Sequence, residues 1–126
     1  MIVNSDIIKG VGLLSGGPYG LAFVDPYGTM DAWKTLIPKA AAEGGIADLE
    51  NIKGAPVYIQ TGTNDPTAPT VAQEAQKEMF ETYGANVHFE TKTNTHIFPI
   101  DKPVTDTWPL STCVDAEFQH AALCNC

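Results

Sequence analysis

At 126 residues the chain holds one domain at most, and no apolar run approaches the roughly 20 residues that a membrane-spanning helix requires. Net charge is −8 and all seven basic residues are lysines, so there is no arginine fork for a phosphate and no basic patch. Nucleic acid and anionic membrane are therefore poor partners, and an uncharged substrate fits better.

The first residues, Met1-Ile2-Val3-Asn4-Ser5-Asp6, lack a basic segment followed by an apolar stretch, so no signal peptide is expected there. Residues 7–14 are apolar and β-leaning, and Gly16-Gly17-Pro18 stops them, which predicts a buried strand. Residues 18–30 mix Pro and Gly with aromatics and read as loop. Asp31 is placed to cap a helix running to Ala42, which Gly44-Gly45 would end and Pro38 would divide. Residues 46–53 form a short amphipathic segment.

Pro56-Val57-Tyr58-Ile59-Gln60-Thr61-Gly62 is the clearest strand, opened by Pro and closed by Gly. The best helix follows at 71–83. Thr70 and Gln73 make a capping-box pattern, and Gly84 is the stop. Ala72, Ala75, Met79, Phe80 and Tyr83 line one side at helical spacing, the face expected to pack on a sheet, while Glu74, Glu78 and Glu81 form a solvated face. Residues 87–91 read as another strand, in which His88 alternates with Val87 and Phe89 as a sheet-face residue. Strand, helix and strand within about 35 residues make a βαβ unit, so the expected class is α/β with a parallel sheet and flanking helices. Beyond Thr93 the chain reads as loop, apart from a short helix at 115–123.

All three cysteines, Cys113, Cys124 and Cys126, fall in this last stretch. Only His120 lies near them, which does not make the four-ligand set of a structural zinc site. Cys124 and Cys126 are too close in sequence to bridge easily. In an exported protein Cys113 would pair with one of them; in a cytosolic one all three would stay reduced.

In parallel sheets the reacting groups collect on loops beyond the carboxyl ends of strands. Asp65, in Thr61-Gly62-Thr63-Asn64-Asp65-Pro66-Thr67, and His96, in Asn94-Thr95-His96-Ile97-Phe98-Pro99, both occupy such positions. Adjacent strands would bring the two loops side by side. A buried carboxylate can then fix the imidazole tautomer and stabilise the imidazolium while it carries a nucleophile's proton. Each residue also has a plainer role available: Asp65 as a turn former bonding its own backbone, His96 as a surface residue.

Three segments occur in order: Leu14-Ser15-Gly16-Gly17-Pro18-Tyr19-Gly20 after a strand, residues 56–65, and Thr95-His96-Ile97-Phe98-Pro99. With the late cysteines, this set resembles the extracellular poly(3-hydroxybutyrate) depolymerase family of esterases, over residues 5–126. The resemblance implies an α/β-hydrolase-type domain, incomplete in this chain, that hydrolyses hydroxyacid polyesters or short-chain esters outside the cell. It implies Asp65 as triad acid, His96 as triad base, Cys113 paired with Cys126 or else Cys124, and no metal or organic cofactor. Trp33, Trp108, Tyr19 and Phe98 are then candidates to line an ester cleft, with core packing as the default for each.

The family's nucleophilic serine sits in a Gly-x-Ser-x-Gly elbow upstream of the Gly-Gly-Pro-Tyr segment, a stretch expected in a missing N-terminal half. Ser15 is the secondary candidate. Gly17 supplies the small residue two positions after it, but Leu13 stands two before, and Pro18-Tyr19-Gly20 is a poor start for the helix an elbow needs. Otherwise Ser15 is a strand-end residue at the rim of the site. The rival expectation is a truncated or degenerate hydrolase that binds a partner or an ester surface without catalysis.

Overall fold

The computed structural model describes residues 1–21, 30–93 and 95–96. Strand β1 (Val11–Leu14) leads to helix α1 (Trp33–Ala42) and a 3-10 turn (Leu49–Ile52). Strand β2 (Pro56–Gly62), helix α2 (Thr70–Thr82) and strand β3 (Asn86–Lys92) follow. The strands form one sheet in the order β1-β2-β3, and both pairings are parallel. Val11 lies opposite Val57 and Leu14 opposite Gln60, while Pro56 lies opposite Asn86 and Gly62 opposite Lys92. The class is α/β, as the βαβ pattern predicts.

β2 is the central strand, and its side chains are buried almost without interruption from Val57 to Gly62. A strand covered on both faces needs a continuous apolar run rather than alternation. Val57 and Ile59 join Ile2, Trp33, Ile37, Ile52, Met79 and Phe80 in the core. α2 packs on β2 and β3, and Ala72, Ala75, Met79 and Phe80 of its expected apolar stripe are buried. Tyr83 closes that stripe half-buried, its ring edge-on to Trp33 at 6.3 Å. Trp33 is thus a core residue. Glu74, Glu78 and Glu81 are exposed, as expected.

α2 stops where its sequence says it should. Gly84 adopts φ 77°, the Ala85 N–H bonds the Phe80 carbonyl at 3.0 Å, and the Gly84 N–H bonds Glu81 at 2.9 Å. That pair of bonds is the Schellman closure, which needs a left-handed residue after the cap.

Four expectations need correction. The first strand begins at Val11 rather than Ile7, because the Ile7 and Ile8 amides are taken by the Asn4 carbonyl at 3.1 and 2.9 Å in a tight turn. Ile7 itself is 75% exposed. Pro38 does not divide the helix: α1 runs through it unbroken. The carbonyl that Pro38 cannot satisfy belongs to Lys34, and both residues face solvent, where water can replace the missing donor.

Asp31 is not the cap of α1. That place falls to Ala32, without a side-chain bond, and Asp31 instead pairs with Lys34 at 2.9 Å. The Thr70–Gln73 capping box is also absent. Pro69 holds the cap position, the Thr70 hydroxyl meets Thr61 at 3.3 Å, and Gln73 turns inward. The amphipathic segment at 46–53 is a 3-10 turn, capped by the Asp48 carboxylate accepting from the Glu50 amide at 3.0 Å. The helix at 115–123, the three cysteines, His120, Trp108 and Phe98 lie outside the described residues.

Candidate functional site

Parallel strands carry their carboxyl ends to one edge of the sheet. Ser15 follows β1, Asp65 lies three residues beyond the end of β2, and His96 lies four beyond β3. The β2 and β3 loops begin joined, since the Thr63 amide bonds the Lys92 carbonyl at 2.9 Å. They then bring Asp65 and His96 into direct contact.

The His96 ring nitrogen Nδ1 lies 2.9 Å from Asp65 Oδ2 and 3.1 Å from Oδ1. The Asp65 side chain is fully buried, whereas the His96 side chain is 47% exposed. A carboxylate locked beneath an imidazole with one open face is the geometry of an oriented base.

The loop holding Asp65 is built by the aspartate itself. Its Oδ1 accepts the backbone N–H groups of Thr67 and Ala68, each at 2.8 Å. Both bonds are local side-chain-to-backbone closures of the kind short polar residues make in turns. The Ala68 carbonyl in turn accepts from Gln73 Nε2 at 3.1 Å, so the first turn of α2 clamps the same loop from below. Asp65 therefore fills its turn-forming role and the histidine-binding role at once.

Electrostatics follow from these contacts. Burial pushes the Asp65 carboxyl up, but the Ala68 amide, His96, the Thr67 amide and the Ser15 hydroxyl together outweigh it. The carboxyl falls from its ordinary 3.8 to about 2. It is therefore an anion at neutral pH and can only accept hydrogen bonds. His96 Nδ1 must then carry the proton in the contact, which leaves Nε2 of the neutral ring as a lone-pair acceptor on the exposed side. A base poised in this way can take a proton from a hydroxyl or from water.

Ser15 stands at the same sheet edge, directly after β1. Its hydroxyl adds the smallest of the contributions that lower the Asp65 carboxyl, and among the described residues no hydroxyl is bonded to His96 Nε2. Of the three residues singled out from sequence, Asp65 and His96 are thus brought into contact, while Ser15 lies at the same sheet edge without a hydrogen bond to His96. Gln73 is the participant that sequence reasoning missed. Its signal is a glutamine one turn into a helix after an Asp-Pro-Thr-Ala-Pro loop, a spacing that equally fits a capping box.

His88 lies apart from this group, exposed on the sheet face and stacked on Tyr58 at 5.4 Å. Tyr19 is half-buried against the core, its amide directed at Met79 sulfur at 3.3 Å. Among the described residues no three His, Cys, Asp or Glu side chains converge as a metal cage requires, and no helix there is long and apolar enough to cross a membrane.

Comparison with protein-family models, curated proteins and solved structures finds no match to this chain.

Proposed function

We propose that the chain supplies the acid and base of a serine-type carboxylic-ester hydrolase, with Asp65 as the orienting acid and His96 as the proton carrier. The observation that carries this is the 2.9 Å contact between the fully buried Asp65 carboxylate and Nδ1 of a half-exposed His96, at the carboxyl ends of adjacent parallel strands. The order of acid before histidine, and their position on strand-end loops, match an α/β-hydrolase arrangement. The ordered Gly-Gly-Pro-Tyr, Gly-Thr-Asn-Asp and Thr-His-Ile-Phe-Pro segments favour the polyester depolymerase branch, acting outside the cell on hydroxyacid polyesters or short esters.

In the reaction, a serine hydroxyl would attack the ester carbonyl while His96 Nε2 takes its proton. The imidazolium formed would be stabilised by Asp65 and would return the proton to the departing alkoxide. Water would then repeat the sequence on the acyl-enzyme. Ser15 remains the secondary candidate for that serine: it follows β1 at the same sheet edge, but among the described residues no hydroxyl is bonded to His96 Nε2.

The test is turnover of p-nitrophenyl butyrate and of poly(3-hydroxybutyrate) by the natural full-length protein. His96→Ala is expected to lower kcat by about 10⁴-fold or more. If His96→Ala leaves every activity of that protein unchanged, a non-catalytic binding role replaces this one.

A further inference from the structure

Gln73 is wholly buried, and Gln76, one turn further along α2, is nearly so. Each spends its side-chain N–H on a backbone carbonyl outside the helix: Gln73 Nε2 on Ala68 at 3.1 Å, and Gln76 Nε2 on Gly17 at 2.7 Å. Among the described residues neither side-chain oxygen has a hydrogen-bond partner. A buried oxygen left unpaired costs free energy that an apolar side chain of the same length would not. Packing alone therefore does not account for a glutamine at position 73. What it adds over methionine is the bond to Ala68.

The Ala68 carbonyl needs that donor. It lies before Pro69, the cap of α2, and the Ala72 amide of the first turn bonds back only as far as the Pro69 carbonyl, at 2.9 Å. Of residues 63–69, Asp65 and Ala68 are the two that are buried. Ala68 is held at both its ends: its N–H donates to Asp65 Oδ1 at 2.8 Å, and its carbonyl accepts from Gln73. Fixing the carbonyl fixes the orientation of the residue and so the aim of its N–H. The start of α2 is itself tied to the end of β2, where the buried Thr61 hydroxyl meets that of Thr70 at 3.3 Å. A continuous line of hydrogen bonds thus runs from Gln73 through Ala68 and Asp65 to His96.

Taking Asp65 as the orienting acid described above, we propose that Gln73 is a positioning residue for the Asp65–His96 pair, acting through Ala68. Its side-chain amide keeps the Ala68 N–H on Asp65 Oδ1, which leaves Oδ2 facing His96 Nδ1 at 2.9 Å. Burial raises the Asp65 carboxyl, and the Ala68 amide is the foremost of the contacts that outweigh burial. Release of Ala68 would therefore loosen the chief tether of the carboxylate.

The test uses two variants of Gln73 in the natural full-length protein. Gln73→Met removes the donor and the unpaired oxygen while keeping the length of the side chain. Gln73→Asn keeps an amide but draws it back from Ala68 by one methylene. Gln76→Met is the matched control, because it loses the same chemistry from a residue that reaches Gly17 instead of the Asp65 loop. ¹⁵N NMR of His96, at a pH where its ring is neutral, reads how much of the ring carries its proton on Nδ1. The Nδ1–H form should dominate in the parent. Both Gln73 variants should lower its share at least about twofold, and Gln76→Met should leave it in place. An unchanged share in the Gln73 variants overturns the proposal. An equal fall in Gln76→Met also overturns it, since the effect would then be a general loosening of α2. If one Gln73 variant does not fold, the other decides.

A second measurement follows p-nitrophenyl butyrate. Gln73→Met should lower kcat by about tenfold with KM unchanged, the loss expected when support for the base is removed. An unchanged kcat in a folded Gln73→Met protein would reduce Gln73 to a packing residue and overturn the proposal. If the parent protein turns over no ester, hydrolysis is refuted, while the NMR comparison still decides the role of Gln73.

Discussion

Asp65 bears the largest electrostatic consequence of any single residue in the described chain. Its carboxyl sits near 2 in the folded protein against an ordinary 3.8. A depressed carboxyl stabilises the fold at pH values above its unfolded pKa, and that contribution disappears as pH falls through the folded one. The window therefore runs from about pH 4 down to about pH 2, and the amount is on the order of 2 kcal/mol. Asp65→Asn should remove this dependence: stability followed by urea unfolding at pH 7 and pH 3 should differ less in the variant than in the parent. An unaltered difference would mean that the Thr67, Ala68 and His96 contacts do not hold the charge. The asparagine would also present an amide to His96 Nδ1 or force the ring to the other tautomer, so ester turnover by the full-length protein should fall by about 10⁴-fold.

At the same scale, Asp65 and His96 could be found from sequence because both follow strands at short, countable distances. Their contact depends only on β2 and β3 being neighbours. Ser15 could be named but not placed. Its left-handed backbone at the end of β1, φ 46°, is an angle that no residue pattern states. Gln73 could be seen but not interpreted, because a glutamine after Thr70 satisfies a capping-box spacing whether its side chain turns back to the cap or inward to Ala68.

At the scale of elements, α2 shows why some boundaries are legible and others are not. Its end is dictated by one residue, because only glycine accepts φ 77° at position 84 without strain. Gly84→Ala should lower stability by about 1 kcal/mol, read as a shift in the urea midpoint with an unchanged slope. The added methyl would meet Lys53 Cγ at 3.4 Å and its Cα at 3.7 Å, ordinary contact distances, so backbone conformation rather than a clash sets the cost. A variant as stable as the parent would show that the Schellman closure contributes nothing here. The starts of helices are less legible because several residues compete for the role: Asp31 prefers an ion pair with Lys34, and Thr70 a hydroxyl contact with Thr61. Pro38 misleads for a related reason. Its penalty falls on the Lys34 carbonyl, whose surroundings cannot be read locally, and here Lys34 and Pro38 are both exposed residues.

At the scale of the whole molecule, the sheet order places β2 between both neighbours, so the site and the core share one strand. Ile59 lies near its middle, wholly buried, three residues before Gly62 and the turn that carries Asp65. Ile59→Ala should cost about 2–5 kcal/mol, the range for removing a buried isoleucine where neighbours relax only partly. That is a large share of the roughly 5–15 kcal/mol that separates folded from unfolded domains. Ile7→Ala is the control: the side chain is equally large but 75% exposed, and its loss should change stability by less than about 0.5 kcal/mol. Thermal unfolding of both variants, followed at once by circular dichroism and by the His96 ring signal in NMR, tests whether core and site form one cooperative unit. Ile59→Ala should lower both midpoints together, because Asp65 is held by a turn that begins where β2 ends. If the His96 signal keeps its parent midpoint while the helix signal falls, the Asp65–His96 contact is maintained by its own loop bonds alone. The buried strand would then position the pair without stabilising it.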